Sequence, residues 1–86
     1  MDSMTKGQAL YAATAASLGI DPDKHGSQAE ILACCDDIIG QPALSKFRTG
    51  AKDPTDQTVR DFEERFRFRL LAPSTAWGFV SVGGEE

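Results

Sequence analysis

The sequence has no apolar run near the roughly 20 residues that a membrane-spanning helix needs, so helical insertion into a bilayer is excluded. The stretch Met1 to Lys6 mixes Asp2 with Lys6, and an alanine-rich amphipathic segment follows where a cleaved signal would carry a basic region and a leucine-rich core. No membrane partner is expected, and the expected address is the cytoplasm. Histidine occurs once and cysteine twice. Cys34 and Cys35 are neighbours, a spacing that permits only a strained disulfide. With His25 as the one histidine, they supply too few soft ligands for structural zinc, which usually takes four. They read as reduced thiols, one of them buried. His25 lies in a loop beside Asp21 and Asp23, with no Ser or Cys in an activated arrangement, and reads as a surface residue. There is no glycine-rich phosphate loop and no nucleophile–base pair. The chain is therefore expected not to be an enzyme and to need no metal or cofactor. It also lacks an excess of basic charge: 9 Lys and Arg against 13 Asp and Glu give −4 and a pI near 4.8. Taken as an average, that argues against a wholesale electrostatic binder of nucleic acid.

What is present is an ordinary globular composition. Hydrophobic residues at 41% and charged residues at 26% bury enough apolar surface to fold, and 86 residues leave room for one core, so residues 1–86 are read as a single domain. A first helix is predicted from about Thr5 to Leu18, with Leu10, Ala13, Ser17 and Leu18 near one face. Gly19 followed by apolar Ile20 stops it in the Schellman pattern. Asp21 to Gly26 holds turn formers without periodicity and reads as a loop. Ser27 with Glu30 three residues on predicts a capping box opening a second helix. Its apolar side is Ala29, Ile31, Leu32, Cys34 and Cys35, ended by Asp36-Asp37.

A third helix, about Gln41 to Arg48, has Pro42 in its first turn and Gly50 just past its end. Leu44 and Phe47, three apart, turn inward and leave Gln41, Ser45, Lys46 and Arg48 outward. Thr55 or Asp56 caps a fourth helix whose stripe is Val59, Phe62 and Phe66. Arg60 and Arg65 are interleaved with acids at helical spacing and read as helix-stabilising pairs, not as ligands of DNA. From Arg65 to Leu70 the pattern alternates with period two. Two endings fit: the helix runs on towards Leu71 with one strand after Ala76, or it stops near Phe66 and a hairpin follows. An unpaired strand edge in residues 72–86 would invite a second copy of the chain. The aromatics Phe62, Phe66, Phe68, Trp77 and Phe79 read as core or dimer interface.

The order of segments from Ser27 to Phe66 carries the most information. It runs through a helix opening on Ser27-Gln28-Ala29-Glu30, a turn and a short helix ending in Leu44-Ser45-Lys46-Phe47-Arg48-Thr49-Gly50. Pro54-Thr55 and the supporting Val59, Phe62 and Phe66 follow. This order resembles the helix-turn-helix of the lambda repressor and Cro type, the xenobiotic-response-element family of regulators, with the motif over residues 27–50. The resemblance covers about half of the chain. It implies a mainly α fold, a bundle of four to five helices with a C-terminal strand or hairpin. It also implies a phosphate contact from Gln28 at the start of the first motif helix, where free amides and the helix dipole favour an anion. The segment Cys35 to Gly40 is longer than the family's turn and has Asp36 or Asp37 where the family has glycine.

The residues make a physical case of their own. Residues 41–52 hold Lys46, Arg48 and Lys52 and no acid, a local +3, whereas residues 1–40 hold two lysines and six acids, 2 − 6 = −4. A short helix with a polar outward face fits a major groove about 12 Å wide. Gln41 and Lys46 suit adenine and guanine edges, with Ser45 between them, while Arg48, Thr49 and Lys52 suit phosphates on the side away from Gln28. The function expected is that of a sequence-specific, double-stranded DNA-binding transcriptional regulator, a phage or mobile-element repressor acting as a homodimer through Trp77, Phe79 and Val80. The alternative is a protein-binding inhibitor or antitoxin module on the same scaffold, its acidic face engaging a basic partner.

Overall fold

The computed structural model describes residues 5–71 and 78–81. Along the chain they form α1 (Lys6–Leu18), α2 (Ser27–Cys35), α3 (Gln41–Thr49), α4 (Asp56–Phe66), β1 (Phe68–Leu71) and β2 (Gly78–Ser81). The fold is mainly α: four helices and a C-terminal hairpin, the second of the two endings the sequence permits.

Each helix ends where local chemistry ends it. The Thr5 hydroxyl accepts the Gln8 amide at 3.1 Å while the Gln8 side chain accepts the Thr5 amide at 3.0 Å, a reciprocal capping box that opens α1. At its far end Gly19 takes φ 72°, and the Ile20 amide reaches back to the Ala15 carbonyl at 2.8 Å, completing the Schellman turn. Gly50, φ 86°, repeats the device for α3, with the Ala51 amide on the Lys46 carbonyl at 2.9 Å. Thr55 caps α4 by accepting the Thr58 amide at 3.2 Å.

The start of α2 departs from expectation. Ser27 and Glu30 form no capping box: Gly26, in the left-handed conformation, is the N-cap, and no side chain caps the helix. Ser27 is already helical, and its buried hydroxyl donates to the Pro22 carbonyl at 3.1 Å, which ties the helix to the preceding loop. The apolar side of α2 is also narrower than the sequence suggests. Ile31 and Cys35 are buried and Leu32 half-buried, but Ala29 and Cys34 are exposed.

The core gathers Leu10, Tyr11, Ile31, Cys35, Leu44, Phe47, Phe62, Phe66 and Phe68. α1 is its centre, buried along Gly7, Ala9, Leu10, Tyr11, Ala13, Thr14 and Ala15. Ser17, expected on its inner face, is exposed, and Leu18 is half-buried. α1 and α4 run parallel, because Lys6 pairs with Asp56 at their N-terminal ends and the Ser17 hydroxyl donates to the Phe66 carbonyl at their C-terminal ends. α3 crosses α1 at Gly7, where a Cβ would lie 3.0 Å from the Phe47 Cα and 2.6 Å from the Lys52 carbonyl oxygen.

α4 stops because Arg67 takes the left-handed conformation (φ 59°), its amide on the Glu63 carbonyl. The Glu63 carboxylate then accepts the Leu70 amide at 3.0 Å and fastens the first strand to the helix. β1 pairs antiparallel with β2, Leu70 opposite Phe79 and Arg69 opposite Val80. The period-two pattern is met: Phe68 is buried and Leu70 and Phe79 pack against the core, while Arg67 and Arg69 are exposed.

Candidate nucleic-acid interface

α3 is held by its apolar edge. Leu44 and Phe47, 1% and 3% exposed, anchor it against α1, and Ala43 is half-buried beside them. The remaining arc faces outward: Gln41, Lys46, Arg48 and Thr49 are exposed and Ser45 half-buried. At 3.6 residues per turn, positions 41, 45 and 48 fall on one flank of this arc, while Lys46 stands about 140° round the axis from Gln41. The two proposed base readers therefore occupy opposite flanks, with Ser45 and Thr49 between them. The Thr49 hydroxyl donates to the Lys46 carbonyl at 3.3 Å within the last turn. Lys52 is exposed in the loop after Gly50. The nearest acid in sequence, Asp53, accepts the Gly7 amide at 3.4 Å.

One expected arrangement is corrected. Arg48 does not stand apart from Gln28: its Nε donates to the Gln28 Oε1 at 2.9 Å. The first turn of α2 and the last turn of α3 are thus joined, which puts two of the four residues proposed as phosphate ligands, Gln28 and Arg48, on one flank. Because Gln28 accepts with its carbonyl oxygen, its amide nitrogen stays available as a donor, as do the terminal nitrogens of the guanidinium.

This pair closes one side of a cleft of about 430 Å³ between the α1–α2 loop, the start of α2 and α3. Tyr11 lines the cleft from α1, and its hydroxyl is buried with no hydrogen-bond partner among the described residues. The sequence reading did not single out Tyr11. No local pattern marks it, because the face of α1 that meets α3 is set by the packing of the core.

Arg65 is the second correction. Its partner is not an acid of its own helix but Asp37 in the α2–α3 turn, held through two bonds of 2.6 Å and 2.9 Å, with a further bond to the Cys34 carbonyl at 3.3 Å. The hydrogen bond from the guanidinium holds the Asp37 carboxyl below its ordinary range. The bridge fastens the turn between the two motif helices to α4 and is exposed, so it orients the turn more than it stabilises the fold.

Cys34 is exposed and Cys35 buried, both as free thiols. Burial, then the charges of Cys34, Asp36 and Asp37, push the Cys35 thiol up to about 11. His25 is exposed. Among the described residues no three His, Cys, Asp or Glu side chains group as a metal site would need, and no helix is long and apolar enough to cross a membrane. Of the expected dimer residues, Trp77 and the side chain of Val80 lie outside the described set, and Phe79 is half-buried against the core. Comparison with family models, curated proteins and solved structures finds no match for the chain.

Proposed function

We propose that the protein binds double-stranded DNA through the outward arc of α3 and acts as a small transcriptional regulator. The observation that carries this reading is electrostatic and geometric together. Lys46, Arg48 and Lys52 stand exposed on or just after one short helix with no acid between residues 41 and 52, in a chain whose net charge is −4. Local concentration of basic groups is what phosphate contact requires, whatever the total. Gln41, Ser45 and Lys46 would meet base edges, and Gln28, Arg48, Thr49 and Lys52 the phosphates. The Gln28–Arg48 bond favours a joint phosphate clamp, since it fixes two donors at one point. A homodimer would bring two such arcs to successive turns of the duplex, about 34 Å apart, with the C-terminal hairpin as the pairing element.

The test is a gel shift with duplexes selected from a random library. Replacing Gln41 and Lys46 by Ala touches two exposed side chains, so the circular dichroism spectrum should stay unchanged while preference for the selected site over random duplex is lost. Retention of full preference by that double variant would overturn the assignment of base contacts.

A second reading rests on a different surface. Asp37, Asp61 and Glu64 line a hollow of about 450 Å³ between the α2–α3 turn and α4, with Arg65 as the one cation lining it among the described residues. Such a face suits a basic segment of a partner protein, as an inhibitor or antitoxin module would use it.

A further inference from the structure

The cleft beneath the Gln28–Arg48 bond holds more unsatisfied donors than a surface indentation needs. Gly26 caps α2 with no side chain, and among the described residues the Gln28 and Ala29 amides have no protein acceptor. The Gln28 side-chain nitrogen and the terminal nitrogens of Arg48 are left over from the bond between those residues. Lys24 and His25 stand exposed at the rim. One observation is independent of the helix start: Tyr11, only 4% exposed, is among the residues lining the same cleft, and its buried hydroxyl has no hydrogen-bond partner among the described residues. A buried hydroxyl without a partner is unfavourable by itself, and phenylalanine would fill the same space. Against these donors stand the Asp23 carboxylate and the Ser27 hydroxyl, which already donates to Pro22. The cleft is therefore matched to an acceptor-rich anion.

We infer that this cleft is a binding site for a small phosphate monoester, with the phosphate on the α2 amides, Gln28 and Arg48, and the Tyr11 hydroxyl as an inner donor to the ligand. A volume of about 430 Å³ exceeds what a bare oxyanion fills and lies in the range of small-molecule sites, which favours an ester over inorganic phosphate. The site needs no duplex and stands apart from the DNA reading, although Gln28 and Arg48 belong to both. A backbone phosphodiester reaches the exposed Arg48 but not a hydroxyl buried in the wall, and this separates the two sources of phosphate.

The full chain is titrated with ribose 5-phosphate, and with ribose as the uncharged control, while backbone amide resonances are recorded. Saturable shifts of Gln28 and Ala29 with the ester and none with ribose are expected. Tyr11→Phe should weaken ester binding about three- to tenfold, the range for loss of one hydrogen bond, while its melting temperature stays equal or rises. Arg48→Ala should weaken it about tenfold or more. Absence of saturable shifts, or shifts that neither substitution alters, overturns the site. Duplex affinity is measured in parallel: Tyr11→Phe should leave it unchanged, and an equal loss for duplex and ester would overturn the small-ester assignment. Failure of the unsubstituted protein to bind any duplex, with ester binding intact, would remove the DNA reading and leave the cleft.

Discussion

Cys34 and Cys35 share a peptide bond and differ in everything that governs thiol chemistry. Cys34 faces solvent at the end of α2, whereas Cys35 is fully buried and its Sγ donates to the Ile31 carbonyl at 3.2 Å. A thiol reacts as the thiolate, and burial disfavours that form at Cys35, raising it from 9.0 to about 11. The folded protein then holds this proton more tightly than the unfolded chain does. The associated stability is fully present below pH 9.0 and is lost as pH rises towards about 11. At neutral pH an alkylating reagent should label one thiol per native molecule, at Cys34, and two after denaturation, as counted by intact mass. Cys35→Ser should flatten the alkaline limb of a stability–pH profile, and an unchanged limb would show that another group governs it. The sequence announced two reduced thiols with one inside. Which one was not legible, because both sit on a plausible apolar stripe and only the packing of α2 into the core selects Cys35.

At the scale of elements, the α1–α3 crossing depends on the absence of a side chain. A Cβ on Gly7 would meet the Lys52 carbonyl oxygen at 2.6 Å and the Phe47 Cα at 3.0 Å, both of them backbone atoms that cannot rotate away. Gly7 has no positive φ, so the requirement is one of space. Gly7→Ala should destabilise the fold by roughly 2 kcal/mol through overpacking, seen as a lower urea midpoint with an unchanged slope. A gain in stability, as helix propensity alone would give at this position, would mean that the crossing is looser than described. Several helix boundaries were readable: Gly19, Gly50 and Thr55 act through bonds to residues three to five positions away, and Pro42 stands in a first turn that needs no amide from it. Ser27 misled because Gly26 beside it could take the cap position, freeing the hydroxyl for Pro22. Arg65 misled because Asp37, its partner, lies 28 residues away in sequence.

Over the whole molecule, the charge is distributed so that its sum conceals the function proposed. Residues 1–40 contribute −4, residues 41–72 contribute 7 − 5 = +2 and Glu85-Glu86 contribute −2. An acidic body weakens nonspecific attraction to DNA, so binding by this protein would lean on base contacts and on dimerisation. Retention on heparin at low salt, steeply lost as salt rises, is expected for the DNA reading. Replacing Lys46, Arg48 and Lys52 together by Ala should abolish it. A protein that never binds heparin, yet captures a basic peptide in a manner sensitive to Asp61 and Glu64, would favour the partner-protein reading.

The sequence by itself determined the four helices, the stops of α1 and α3, the inward Leu44 and Phe47 and the basic segment around α3. Each of these rests on interactions within a few residues or on simple periodicity. Tertiary structure alone decided that Gln28 meets Arg48, that Arg65 reaches Asp37, and that Tyr11 is buried beside an uncapped helix start. Those pairings depend on how helices cross, and the crossing angles follow from the packing of the whole core, which no local pattern encodes.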